Sequence, residues 1–209
     1  MLLPAEFITA ALEFEAKIFN SRKSESRGGT RIVNGAIGHR YVCELDTPWL
    51  TVEQVRNLNA WQESLEGSSG VFTAVLPVLS KPEGKATGNP TVKASIVAGV
   101  KQLVISGLAA NTAGMYKAGD MLTFANHSKV YKLAPKPGGG DIFTYDTDVN
   151  GEVTVYLTLP LLKAVTATTA INFNDVVFTF AAQKDEVKFK LAAKDGGYSK
   201  LSLDVEEVY

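Results

Sequence analysis

Apolar and polar positions alternate along most of this chain, and in one stretch they recur at helical spacing instead. Leu12, Phe14, Ala16 and Ile18 alternate with Glu13, Glu15 and Lys17, which predicts a strand with one apolar and one solvated face. Two more strands are expected around 30–33 and 40–45, set apart by Gly35 and Gly38. Between the first and second strands, Asn20-Ser-Arg-Lys-Ser-Glu-Ser-Arg-Gly-Gly29 has no apolar residue and reads as a long exposed loop or extended arm. Val52, Val55, Leu58, Trp61 and Leu65 then recur at three- and four-residue steps, which places them on one helix face. Thr51 and Gln54 form a capping box at the start and Gly67 is the expected stop, so a helix is predicted over 52–66. A strand over 71–76 follows and ends at Pro77.

Residues 80–91 hold two prolines, two glycines and no large apolar side chain, the signature of a domain boundary. Beyond it, short strands are expected near 92–97, 101–106, 121–124, 129–133, 152–158 and 175–180. Five or six short strands separated by Gly- or Pro-bearing loops suit a small barrel or sandwich. Asn150-Gly151 reads as a hairpin turn joining the Tyr145 region to 153–157, because both residues accept positive φ. Two further alternating strands are expected within 187–208, around Gly196-Gly197.

Composition narrows the function classes. The chain has 209 residues, with 21 Lys and Arg against 22 Asp and Glu, a net charge of −1. That excludes attachment to nucleic acid by bulk positive charge, which needs clustered Lys and Arg. At 45% hydrophobic and 21% charged, it has the composition of an ordinary globular chain with a real core. The lone Cys43, on the alternating run 41–45, excludes an internal disulfide and reads as a small buried hydrophobe. Glu6, Glu13 and Glu15 interrupt any signal-peptide pattern. Lys101, Gln102 and Ser106 break the most apolar run, 96–110, well short of a membrane span. The expectation is a soluble chain made in a reducing compartment.

Little catalytic chemistry is visible. Asp146, Asp148, Asn150 and Gly151 match the first half of a calcium loop, but position 12 is Leu157 where a bidentate carboxylate is required, so a polar hairpin is expected. His39 and His127 have no ligand partner at useful spacing and read as surface or loop residues. Serine-nucleophile, P-loop and dinucleotide glycine patterns are absent, and Glu206-Glu207 reads as solvated. A barrel of the OB type would offer Phe124, Tyr131, Phe143, Tyr145 and Tyr156 for base stacking. Aromatics at alternating strand positions are more often core, and basic residues (Lys117, Lys129, Lys132, Lys136, Lys163) are sparse. No enzyme activity, metal, cofactor or nucleic-acid binding is expected.

Four stretches carry a family resemblance: Arg27-Gly-Gly-Thr-Arg31 with Tyr41-Val-Cys-Glu-Leu45, Pro48-Trp-Leu-Thr51 and the helix to Gly67-Ser-Ser-Gly70; Val71-Phe-Thr-Ala-Val-Leu-Pro77; Lys117-Ala-Gly-Asp-Met-Leu122 with Lys129-Val-Tyr-Lys132; and Tyr198-Ser-Lys-Leu-Ser-Leu-Asp-Val-Glu-Glu-Val208. In order and spacing, from about residue 27 onward, the chain resembles the distal tail proteins of long non-contractile-tailed bacteriophages. The first 20 residues and Pro137–Gly140 match less well.

The resemblance implies a mainly β protein in which residues 1–87 and 183–209 form a β-sandwich with one α-helix, and residues 88–182 an inserted OB-like β-barrel. It implies a structural virion protein at the tail tip, assembled in the host cytoplasm. A hexameric ring would join the tail tube protein to the baseplate hub protein and let DNA pass through its centre. The tape measure protein and side fibres are further partners on this reading. Arg22, Lys23, Arg27 and Arg31, on the polar arm, are the expected contacts to a neighbouring subunit. The alternative is a carbohydrate-binding module in which Tyr145, Tyr156 or Trp49 stacks on host-surface glycan.

Overall fold

A computed structural model describes residues 1–7, 12–19, 23–25, 31–33, 38–184 and 201–209. The fold is mainly β with one α-helix, and it divides into two compact units, 1–74 with 179–208 and 75–178 with Tyr209.

The first unit is built on five strands: Leu12–Phe19 (β1), Gly38–Asp46 (β4), Val71–Val75 (β5), Val177–Ala182 (β14) and Ser202–Glu207 (β15). They form one sheet in the order β1-β4-β15-β14-β5, while Lys23–Glu25 (β2) and Arg31–Val33 (β3) make a separate antiparallel pair. Alternation buries one face: Tyr41, Cys43 and Leu45 on β4, Leu203 and Val205 on β15, Phe180 on β14, Phe72 and Ala74 on β5. Fully burying a side chain such as Phe72 stabilises by roughly 1.5–3 kcal/mol. The other face is polar, with Arg40 paired to Glu206 at 3.2 Å, Ser202 donating to Glu44 and Lys184 paired to Asp204. One sheet of the expected sandwich is therefore on view among the described residues.

The helix, Val52–Glu63 (α1), begins with the capping box: Gln54 N–H donates to Thr51 Oγ1 and Thr51 N–H to Gln54 Oε1. It ends before Gly67, the expected stop. Leu65 and Glu66 donate to carbonyls three residues back, tightening the last turn, and Glu66 takes φ +54°. Val55 and Leu58 are buried, and the Trp61 ring meets Phe72 edge-on at 5.2 Å. Gln62 is also buried, and neither end of its amide finds a partner among the described residues.

The second unit holds Gly88–Val92 (β6), Gln102–Leu108 (β7), Tyr116–Lys117 (β8), Met121–Phe124 (β9), His127–Lys132 (β10), Thr144–Tyr145 (β11), Val153–Tyr156 (β12) and Ile171–Asn172 (β13). Its ladders give β6-β7-β12 and β10-β9-β13. Two antiparallel bridges, Thr91↔Ala170 and Leu133↔Leu157, join these ladders end to end. The ring β6-β7-β12-β10-β9-β13 closes on itself as a six-membered barrel, one strand more than the five of an OB-fold. Its interior is a single cluster that includes Val92, Ile105, Leu122, Tyr131, Val155 and Phe173. At the base, Ser80 accepts from Leu76 N–H at 2.8 Å, donates to Val176 O at 2.6 Å and takes the Val176 N–H on its carbonyl. The two ends of this unit are thus tied together.

Several local expectations are corrected. Residues 80–91 are not all linker, because β6 begins at Gly88; it tolerates Pro90 because its register on β7 slips between Gly88 and Thr91, where a missing N–H costs no ladder bond. β11 pairs with β8 and β12 with β7, so Asn150-Gly151 does not join those two strands in a hairpin. Of the two, Gly151 alone takes positive φ, and the position requires glycine because a Cβ there would lie 2.2 Å from Leu108 O. The first of the two strands expected within 187–208 falls outside the described residues.

Candidate subunit interface

Within the polar arm, Lys23–Glu25 is described, as strand β2 paired with β3. β1 and β4 pair from Leu12↔Leu45 to Phe19↔Gly38, and β2 and β3 pair from Lys23↔Val33 to Glu25↔Arg31, offset by one residue from the first pair. β15 accompanies β4 over Val42–Asp46 only. From Tyr41 to Gly38, β4 therefore has β1 as its one strand partner among the described residues.

The end of the β4–β15 overlap is held by a buried polar group. Where the β15 ladder stops, Glu207 is fully buried and its carboxylate accepts the Tyr41 N–H at 3.3 Å. A side chain thus supplies the acceptor that the next strand residue would have given. Phe14 stacks on the Tyr41 ring at 4.8 Å and His39 meets it edge-on at 4.6 Å. Burial, then the Glu207 charge, pushes the Tyr41 phenol well above its usual range. His39 and Glu207, expected at the surface, are both buried.

The two outer edges of the sheet differ. Along β5, Leu3 N–H donates to Thr73 O at 2.8 Å and Thr73 N–H to Met1 O at 2.7 Å, so residues 1–3 cover that edge. β1 has no partner on its outer side among the described residues, and an open strand edge is a template for pairing with another chain.

Of the four expected contact residues, the backbone places Lys23 in β2 and Arg31 in β3; Arg22 and Arg27 lie outside the described residues.

The other candidate chemistry resolves into structural roles. Asp146 Oδ1 accepts the Gly114 N–H and Asp148 Oδ1 accepts those of Asn150 and Glu152, so the calcium-like loop spends its carboxylates on its own backbone. No group of three or more metal-ligating side chains occurs among the described residues. Cys43 is 1% exposed, and burial reinforced by Glu44 pushes its thiol up to about 12. Phe124, Tyr131 and Tyr145 belong to the barrel core and Lys129 is buried, its ammonium 4.7 Å over the Tyr209 ring. They form no stacking groove.

For the glycan alternative, Tyr145 is buried with its hydroxyl donated to Ala134 O, which removes it as a stacking platform. Trp49 is exposed but lies in the first unit, and Tyr156 is half-buried. Compared with known proteins, the chain matches no family model and no curated sequence.

Proposed function

We propose that this protein is a structural component of a phage tail tip, a distal tail protein whose copies assemble into a hexameric ring between the tail tube and the baseplate hub. The observation that carries the reading is the β1–β4 pair extending beyond the β15 ladder, beside the open strand edge of β1. Both features offer backbone and charge to a neighbouring copy, and soluble monomers usually hide such edges. The order of elements supports the same reading, with a barrel inserted in the chain between β5 and β14 of the sheet. A net charge of −1 suits a conduit that passes a polyanion without holding it.

The test is native mass spectrometry of the full chain with negative-stain imaging, beside a variant lacking residues 22–28. The expected result is a particle near six times the 22.4 kDa chain with a central hole, and a folded monomer for the deletion. A wild-type chain that stays monomeric at every concentration overturns the ring. A deletion variant that still forms rings overturns the role of residues 22–28 alone.

A further inference from the structure

The direction of the backbone groups along β1 follows from the ladder beside it. Tyr41 N–H reaches Glu207 on the β15 side of β4, and Thr47 N–H reaches Leu201 O on that same side at 2.9 Å. Backbone groups alternate from side to side along a strand, so Gly38, Arg40, Val42 and Glu44 turn theirs to β1. Their partners Phe19, Lys17, Glu15 and Glu13 answer them. Phe14, Ala16 and Ile18 therefore direct N–H and C=O to the open side. The eight residues of this edge hold no proline and no bulge, two of the devices that blunt an edge against pairing.

The charges on the strand favour one kind of neighbour. Glu15 and Lys17 are exposed on the polar face of β1, and neither makes an ion pair among the described residues. Lys17 lies opposite Arg40 in the ladder, a like-charge pairing that costs stability, and Arg40 already has Glu206. A strand that set a carboxylate beside Lys17 and an ammonium beside Glu15 would complete both rows. β1 itself, run antiparallel, supplies that pattern. Ala16, between the two charges, is exposed as well, so the middle of the edge carries only a methyl group.

We infer that two copies of this chain pair edge to edge through β1, antiparallel about a two-fold axis at Ala16. Ala16 lies opposite the partner's Ala16, and Glu15 lies opposite the partner's Lys17, twice by symmetry. Charge selects this register. The polar faces of the two strands stay aligned only when the pairing shifts by steps of two. The neighbouring allowed register on one side sets Glu15 against the partner's Glu15, and on the other Lys17 against the partner's Lys17. The contact closes on itself and builds no ring. Its bearing on assembly rests on the ring reading: in dilute protein it caps the edge that a ring contact would use.

The test is sedimentation equilibrium of the full chain over about 1–100 μM, where a species near twice the 22.4 kDa chain is expected. Glu15→Lys alone and Lys17→Glu alone should each raise the dissociation constant at least about tenfold. The double variant should return it to within about threefold of wild type. An equimolar mixture of the two single variants should pair more tightly than either alone, because each supplies the charge that the other needs. Ala16→Pro, whose lost N–H belongs to the open side, should abolish pairing while the circular dichroism of the fold stays unchanged. A wild-type chain without dimers at any dilution overturns the pair, and rings in the same runs would leave the ring reading standing. Dimers indifferent to both charge reversals, single variants that fail to pair when mixed, or a proline variant that still pairs would each overturn the β1 contact.

Discussion

His127 sits in a hydrogen-bonded relay between Asn126 and Tyr131. Leu162 N–H donates to the Tyr131 hydroxyl at 3.0 Å, and that hydroxyl lies 2.9 Å from His127 Nε2. Asn126 gives its amide to Ala164 O and keeps Oδ1 for the other ring nitrogen at 2.7 Å. Burial, followed by the charge of Lys163, lowers the histidine below its ordinary 6.5. The unfolded chain then binds this proton more readily, so the group's contribution is present above 6.5 and is lost as pH falls through the folded value. Urea unfolding at about pH 7.5 and 5.0 should show a steeper acid loss for wild type than for His127→Gln; equal losses would refute the relay. At this scale the sequence was partly legible. The alternation around Cys43 marked it as core, whereas Glu207 is buried by Tyr41, 166 residues away, a pairing no local pattern encodes.

Local rules went furthest where the element is local. Thr51 and Gln54 announced the start of α1 because a capping box is closed within four residues. They say nothing about what lies opposite its buried face, and Gln62 on that face has an amide without partners among the described residues. Replacing it by leucine should raise stability by about 1–2 kcal/mol, since an unsatisfied buried amide is removed and apolar area gained. The urea midpoint should rise at constant slope, and a fall would mean that the amide has a role. The strands were less legible. β8, β11 and β13 are two residues each, too short for a period to register, and β6 was hidden by the proline that its slipped register accommodates. Of these strands only β2 was read as part of a loop or arm, because Lys23-Ser24-Glu25 has no apolar residue to alternate.

For the whole molecule, a composition shift pointed to a boundary within 80–91 and the resemblance implied limits at 87/88 and 182/183, and the units divide at 74/75 and 178/179. The difference arises at Ser80, whose bonds to Leu76 and Val176 place the preceding segment with the barrel. Barrel closure rests on two single bridges between residues about 80 and 24 positions apart in sequence, beyond any periodicity argument. With its own core and tied ends, the fragment 75–178 should fold alone. It should unfold in one cooperative urea transition with a slope of roughly 1–3 kcal/mol/M; a broad, non-cooperative melt would show that it depends on the rest of the chain. The Ser80 clasp also bears on descent. Because the two ends of the barrel segment are bound to each other at Leu76, Ser80 and Val176, the barrel is a cassette in the chain. A lineage can trade one barrel for another by recombination at those two ends without relearning how to build the sheet.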